Sequence, residues 1–215
     1  MEFCGLMSMD FDFFKRKDKM SSEEYEKSRN DVKLHFRSLC YEMQKMYHQK
    51  TGGVLELDKG FQSFNKRSSS IFVEKLIGEG PTRLRIQMNR DGITVETYLQ
   101  LSKDITPEKI SSTFMENKEI IWNYAMSSKN MVLCLEVSTK SNKVEIYKLK
   151  AGEINKKNYD NFVDTVSSKL KECKEARLAI GYTYSKDECI KKSKDLQNTV
   201  YTAAMEAIKL GTQMR

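Results

Sequence analysis

The residues able to do acid–base, metal or nucleophilic chemistry are few and scattered. The chain has two histidines, His35 and His48, and five cysteines, Cys4, Cys40, Cys134, Cys173 and Cys189. The histidines stand thirteen residues apart on one predicted helix, and neither has a Cys or Asp at a metal-ligand spacing. Cys40 lies eight residues before His48, about 12 Å along a straight helix and too far for hydrogen-bonded thiolate activation. No C-x-x-C pair occurs, and an odd number of cysteines fits reduced, structural thiols in a cytoplasmic protein. Acidic pairs at Asp10/Asp12 and Glu23/Glu24 fall on an N-terminal arm and at a helix start. Glu136 interrupts an apolar strand, and a buried carboxylate there would need a partner or a shifted pKa. An edge strand turning Glu136 toward water, with Glu145 and Lys148 near it, is the expectation. The glycines of Gly52-Gly53 and Gly78-x-Gly80 lack the strand–loop–helix setting of a phosphate cradle. No metal site, cofactor or catalytic set is expected, which leans away from an enzyme. An enzyme of unrecognised type stays as the third alternative, to be marked by a deep pocket lined with perturbed carboxylates or cysteines.

Two clusters point to binding instead. Residues 1–20 crowd Phe3, Leu6, Met7, Met9, Phe11, Phe13 and Phe14 before Lys15-Arg16-Lys17. Aromatic rings left in water on a tail would be costly, so the protein's own body, a second copy or an anionic membrane surface must cover them. Packing on the body, as an ordered arm or a first strand, ranks first; Phe11, Phe13, Phe14, Lys15, Arg16 and Lys17 are the candidate partner-binding residues. The second cluster is Arg83, Arg85, Gln87 and Tyr98, with Gln100, on the polar face of a predicted hairpin. Cations beside an aromatic are what a nucleic-acid-binding sheet uses, and the net charge of +7 allows such a partner without demanding it.

The elements that must position these groups start from that hairpin. Leu84, Ile86 and Met88 alternate with polar residues up to Asn89-Arg90-Asp91-Gly92, and Ile93, Val95, Leu99 and Leu101 alternate beyond it. Before it, Ser21 and Glu24 form a capping box that opens a long helix, with Tyr25, Val32, Leu39 and Met46 repeating by sevens until Gly52. That stripe reads as core-facing, with a homodimer seam as the alternative. A weak strand anchored by Phe61 and Phe64 and a firmer one over 71–77 come next. Thr106-Pro107 then opens a helix, 131–137 and 144–149 pair as strands, and a helix runs over 156–173. A strand over 176–184 and a helix from Ser185, ended by Gly211, close the chain. No apolar run approaches the roughly 18 residues of a membrane span.

The stretch RLRIQMNRDGITVETYLQL leading into the capped helix, then MVLCLEVSTKSNKVEIYKL and another helix, resembles the bacterial YbjN-like family and the related type III secretion chaperones. Their plan is helix, three strands, helix, two strands, helix, and the likeness covers roughly residues 23–173. FDFFKRKDK likewise resembles the starts of small bacterial proteins. The resemblance implies a non-enzymatic protein-binding or regulatory module, chaperone-like in architecture, with another protein as partner. It carries no catalytic residue, and the strand and helix after Ala176 have no place in it. The expectation is therefore an α+β fold: an antiparallel sheet of about five to seven strands with helices on one face and at the ends. Residues 1–20 would be the arm and 21–215 one domain, with 21–173 the chaperone-like unit and 174–215 an extension.

Overall fold

Alternation and helical periodicity become an α+β fold in a computed structural model that describes residues 2–57, 64–78, 80–139 and 141–214. In chain order these are α1 (Ser8–Arg16), α2 (Ser22–Thr51), β1 (Ser70–Leu76), β2 (Arg83–Asn89), β3 (Gly92–Gln100), α3 (Pro107–Glu116) and α4 (Lys118–Ser127). Then follow β4 (Met131–Thr139), β5 (Val144–Lys150), α5 (Lys156–Lys169), β6 (Cys173–Ser185), α6 (Lys186–Lys192) and α7 (Leu196–Gln213). The strands make one antiparallel sheet in the order β1-β2-β3-β6-β4-β5. The strand read as part of an extension is thus an inner strand, bonded to β3 on one side and β4 on the other.

Packing divides the chain into two units, Met1–Lys75 with Arg85–Val95 and Tyr184–Met205, and Leu76–Leu84 with Glu96–Thr183 and Glu206–Arg215. Neither follows the boundaries at 20 and 173. In the first unit, residues 8–16 form a helix rather than a first strand. Its start is closed by Asp10, whose carboxylate accepts the Met7 N–H at 2.8 Å. The α2 capping box forms as expected: Glu24 N–H donates to Ser21 Oγ at 3.2 Å and Ser21 N–H to Glu24 Oε2 at 3.0 Å. Gly52 ends the helix at φ +68°, a left-handed conformation that favours glycine. Tyr25, Val32, Phe36, Leu39 and Met43 of α2 are buried. Residues 53–57 have no regular structure where the weak strand was expected, and Phe61 lies outside the described residues; Phe64 is buried.

In the second unit, α4 packs on β4 and α5 on β5. The helix opened by Thr106 breaks at Asn117, whose buried side-chain amide donates to the Thr113 carbonyl at 2.8 Å and turns the chain into α4. The helix expected to reach Cys173 stops at Lys169, and Cys173 opens β6. Gly211 does not end α7, which continues to Gln213. A Cβ there would lie 2.5 Å from Ile77 Cδ1 and 2.6 Å from Thr97 Oγ1, and Thr82 Oγ donates to the Gly211 carbonyl at 2.9 Å. Glycine is present for close packing, not as a stop.

Candidate functional site

The register of β4 with its two neighbours decides which side chains share a surface. Glu136 stands opposite Arg177 of β6 and Ile146 of β5, and Cys134 opposite Ala179 and Lys148. Directly opposed residues lie on one face. Val132, Cys134 and Glu136 therefore share a face with Arg177 and with Val144, Ile146, Lys148 and Lys150. Leu133, Leu135 and Val137 share the other with Glu145, Tyr147 and Leu149, and this is the buried side. On the first face Val144 and Ile146 are 55% and 54% exposed, Lys148 and Lys150 are exposed, and Val132 and Cys134 are half-buried. Two β-branched apolar side chains thus stand in water on the last strand of the sheet.

Charges toward the sheet interior are matched. The Arg177 guanidinium bonds the buried Glu96 carboxylate, lies 4.7 Å over the Tyr98 ring and reaches within 4.0 Å of Glu136. Removing either partner of such a buried pair would leave the other charge uncompensated. Glu136 does face water, its side chain 45% exposed, but β4 is an inner strand, not the edge expected of it. Burial pushes the Cys134 thiol up to about 11, so at neutral pH it is a protonated thiol rather than a nucleophile or thiolate ligand. On the covered face, hydrogen bonds from Tyr147 at 2.5 Å and Lys169 at 2.9 Å hold the Glu145 carboxyl down at about 2.

The other candidates of the sequence lie elsewhere. Phe11, Phe13 and Phe14 are buried; Phe13 stacks on Tyr25 with ring centroids 5.8 Å apart and meets Phe64 at 5.7 Å. Lys17 is buried too, its ammonium donating to the Lys66 and Ser68 carbonyls at 2.5 and 2.6 Å. Only Lys15 and Arg16 of that group remain exposed. On the hairpin, Arg83 is exposed and Gln87 half-buried, while Arg85 bonds Glu74 at 2.6 Å and lies 4.7 Å over Phe72. Tyr98 is 2% exposed beneath Arg177, so the ring that base stacking requires is covered.

No family model matches the chain, and no curated protein matches it.

Reasoning from sequence missed one acid–base pair. Asp10, 1% exposed, sets Oδ1 2.7 Å from His35 Nδ1, the arrangement that orients an imidazole in many hydrolytic sites. Among the described residues no serine, threonine or cysteine hydrogen-bonds that ring, and no three metal-binding side chains converge anywhere. The dyad also ties α1 to α2, beside a cleft of about 460 Å³ whose lining includes Arg16, Lys19 and Asp31. Its spacing, twenty-five residues across a loop, left no local signal. Nor did the sequence single out Val144 and Ile146 as exposed, because their exposure depends on the strand order.

Proposed function

We propose that the chain is a non-enzymatic protein-binding module, chaperone-like in holding a segment of another protein against the open face of β4 and β5. The half-exposed pair Val144 and Ile146 carries this reading. Fully burying a Val or Ile side chain stabilises by about 1.5–3 kcal/mol, so covering the remaining half of each gives about 2 kcal/mol together. That corresponds to roughly 30-fold in Kd, enough to make the pair an anchor without unfolding the free protein. A bacterial, cytoplasmic setting belongs to the same reading. The described cysteines are free thiols, as in a reducing compartment, and no described helix is long and apolar enough to cross a membrane.

Photo-crosslinking tests it. A benzoylphenylalanine at position 146 of the full chain, in lysate from the source cells, is expected to capture a discrete protein, and V144D/I146D to lose that capture with an unchanged circular dichroism spectrum. Capture that survives V144D/I146D overturns the reading.

A further inference from the structure

We propose that β5 accepts an extended acidic segment of the partner as a seventh strand, its carboxylates over Lys148 and Lys150 and its apolar side chains over Val144 and Ile146. This rests on the protein-binding reading and names the chemistry of the ligand. β5 is the last strand in the sheet order, with β4 on its inner side. A strand in that position offers an outer row of backbone N–H and C=O groups as a template. On β1, the other end strand, Glu74 is engaged by an ion pair and Phe72 by the Arg85 guanidinium, while Leu76 on the same side of that strand is 47% exposed. On β5 the open-face side chains make no described ion pair.

Charge chooses the occupant. Lys143 and Lys169 both pair with Glu145, whereas the Lys148 and Lys150 ammonium groups make no ion pair with a described carboxylate. The Lys150 N–H donates to Glu153 Oε2 at 3.1 Å, so the free part of the edge ends before it. Along one face, β5 therefore reads apolar, apolar, cation, cation at residues 144, 146, 148 and 150. An added strand presents its own alternate side chains to that face with the same two-residue period, so acidic residues followed by apolar ones complement it. A second copy complements it less well, because no residue on this face of β5 is acidic and no self-pairing sets Lys148 or Lys150 against a carboxylate. Antiparallel self-pairing centred on Tyr147 sets Ile146 against Lys148 and Val144 against Lys150. Centring on Lys148 sets that lysine against itself, and parallel in-register pairing sets both lysines against their equivalents. Strand addition with main-chain hydrogen bonds for affinity and alternate side chains for specificity is an established mode of peptide recognition.

The test uses the full chain and short fluorescent peptides of sequence Glu-Thr-Glu-Thr-Val-Thr-Val and its reverse, read by anisotropy. One orientation is expected to bind, and to weaken at least about tenfold between about 50 and about 300 mM salt. The version with Lys for Glu should not bind, and N-methylation of alternate amides on the edge-facing side should abolish binding. K148E/K150E should lose the acidic peptide and gain the Lys version. Failure of both orientations, equal binding of both N-methylated registers, or unchanged binding to K148E/K150E overturns the proposal. A dimer in sedimentation that I146D dissolves also overturns it, in favour of a second copy. If crosslinking from position 146 still captures a protein while the acidic peptides do not bind, strand addition falls and the protein-binding reading stands. Capture that survives V144D/I146D removes both.

Discussion

The phenylalanines of the N-terminal helix and the β-branched residues of β5 meet opposite fates. On α1, Phe11, Phe13 and Phe14 are buried, Phe13 and Phe14 against Phe64, and even the adjacent Lys17 is consumed by backbone carbonyls. On β5, a strand rich in lysine, Val144 and Ile146 stand half in water. The phenylalanines of the aromatic-dense segment are core, although Met7 and Met9 beside them are 48% and 62% exposed, and the β-branched residues of the charged strand are bare. Local apolar density marks what must be covered, whereas position in the sheet marks what is left uncovered.

That contrast breaks most easily on the N-terminal side. Phe13→Ala removes a ring packed on three others and should cost about 3–5 kcal/mol, read as a lower urea midpoint at unchanged slope. A Phe13→Ala protein as stable as wild type, but failing to bind anionic liposomes, would make α1 an anchor and reverse the comparison. Next in size is the pair inside the sheet. Arg177→Ala leaves Glu96 buried without its cation and should cost about 3 kcal/mol. Glu96→Gln combined with Arg177→Met should recover most of that loss, because neither buried charge remains. Equal stability of the single and double variants would mean that Glu96 reaches water.

A smaller effect sharpens the picture on the covered side of β5. The folded-state pKa of Glu145, about 2, lies below the ordinary glutamate value of 4.5, so the carboxylate contributes stability that is fully present above about pH 4.5 and lost as pH falls toward 2. Wild type should therefore lose stability faster than Glu145→Gln across that window in acid denaturation followed by fluorescence. Parallel curves would mean that the hydrogen bonds from Tyr147 and Lys169 do not persist in solution.

Signals confined to a few residues were legible in the sequence. Ser21 with Glu24 marked the start of α2, Gly52 its end, and the alternation of Leu84, Ile86 and Met88 the buried face of β2. The α+β class followed from those periods. Residues 10, 13, 14 and 17 have the helical spacing i, i+3, i+4, i+7, yet Asp10 and Lys17 occupy two of those places and hide α1 from an apolar count. The His35 and carbonyl partners that make these charges tolerable are brought in from distant segments. Tyr98 alternated outward as a stacking ring should, but Arg177, seventy-nine residues later, covers it. Above all, β6 lies between β3 and β4, a non-local pairing that moves Glu136 to an inner strand and makes β5 the edge. No local pattern encodes that order, so neither the edge nor its bare face could be read in advance.

We propose that partner contact belongs to the open face of β5 and not to the exposed Lys15 and Arg16 of α1. Capture from lysate by three full-length proteins, wild type, V144D/I146D and K15E/R16E, tests it most directly. Each surface substitution should change stability by less than about 0.5 kcal/mol. One captured protein is expected with wild type and with K15E/R16E, and its loss with V144D/I146D. Loss with K15E/R16E and retention with V144D/I146D would contradict it.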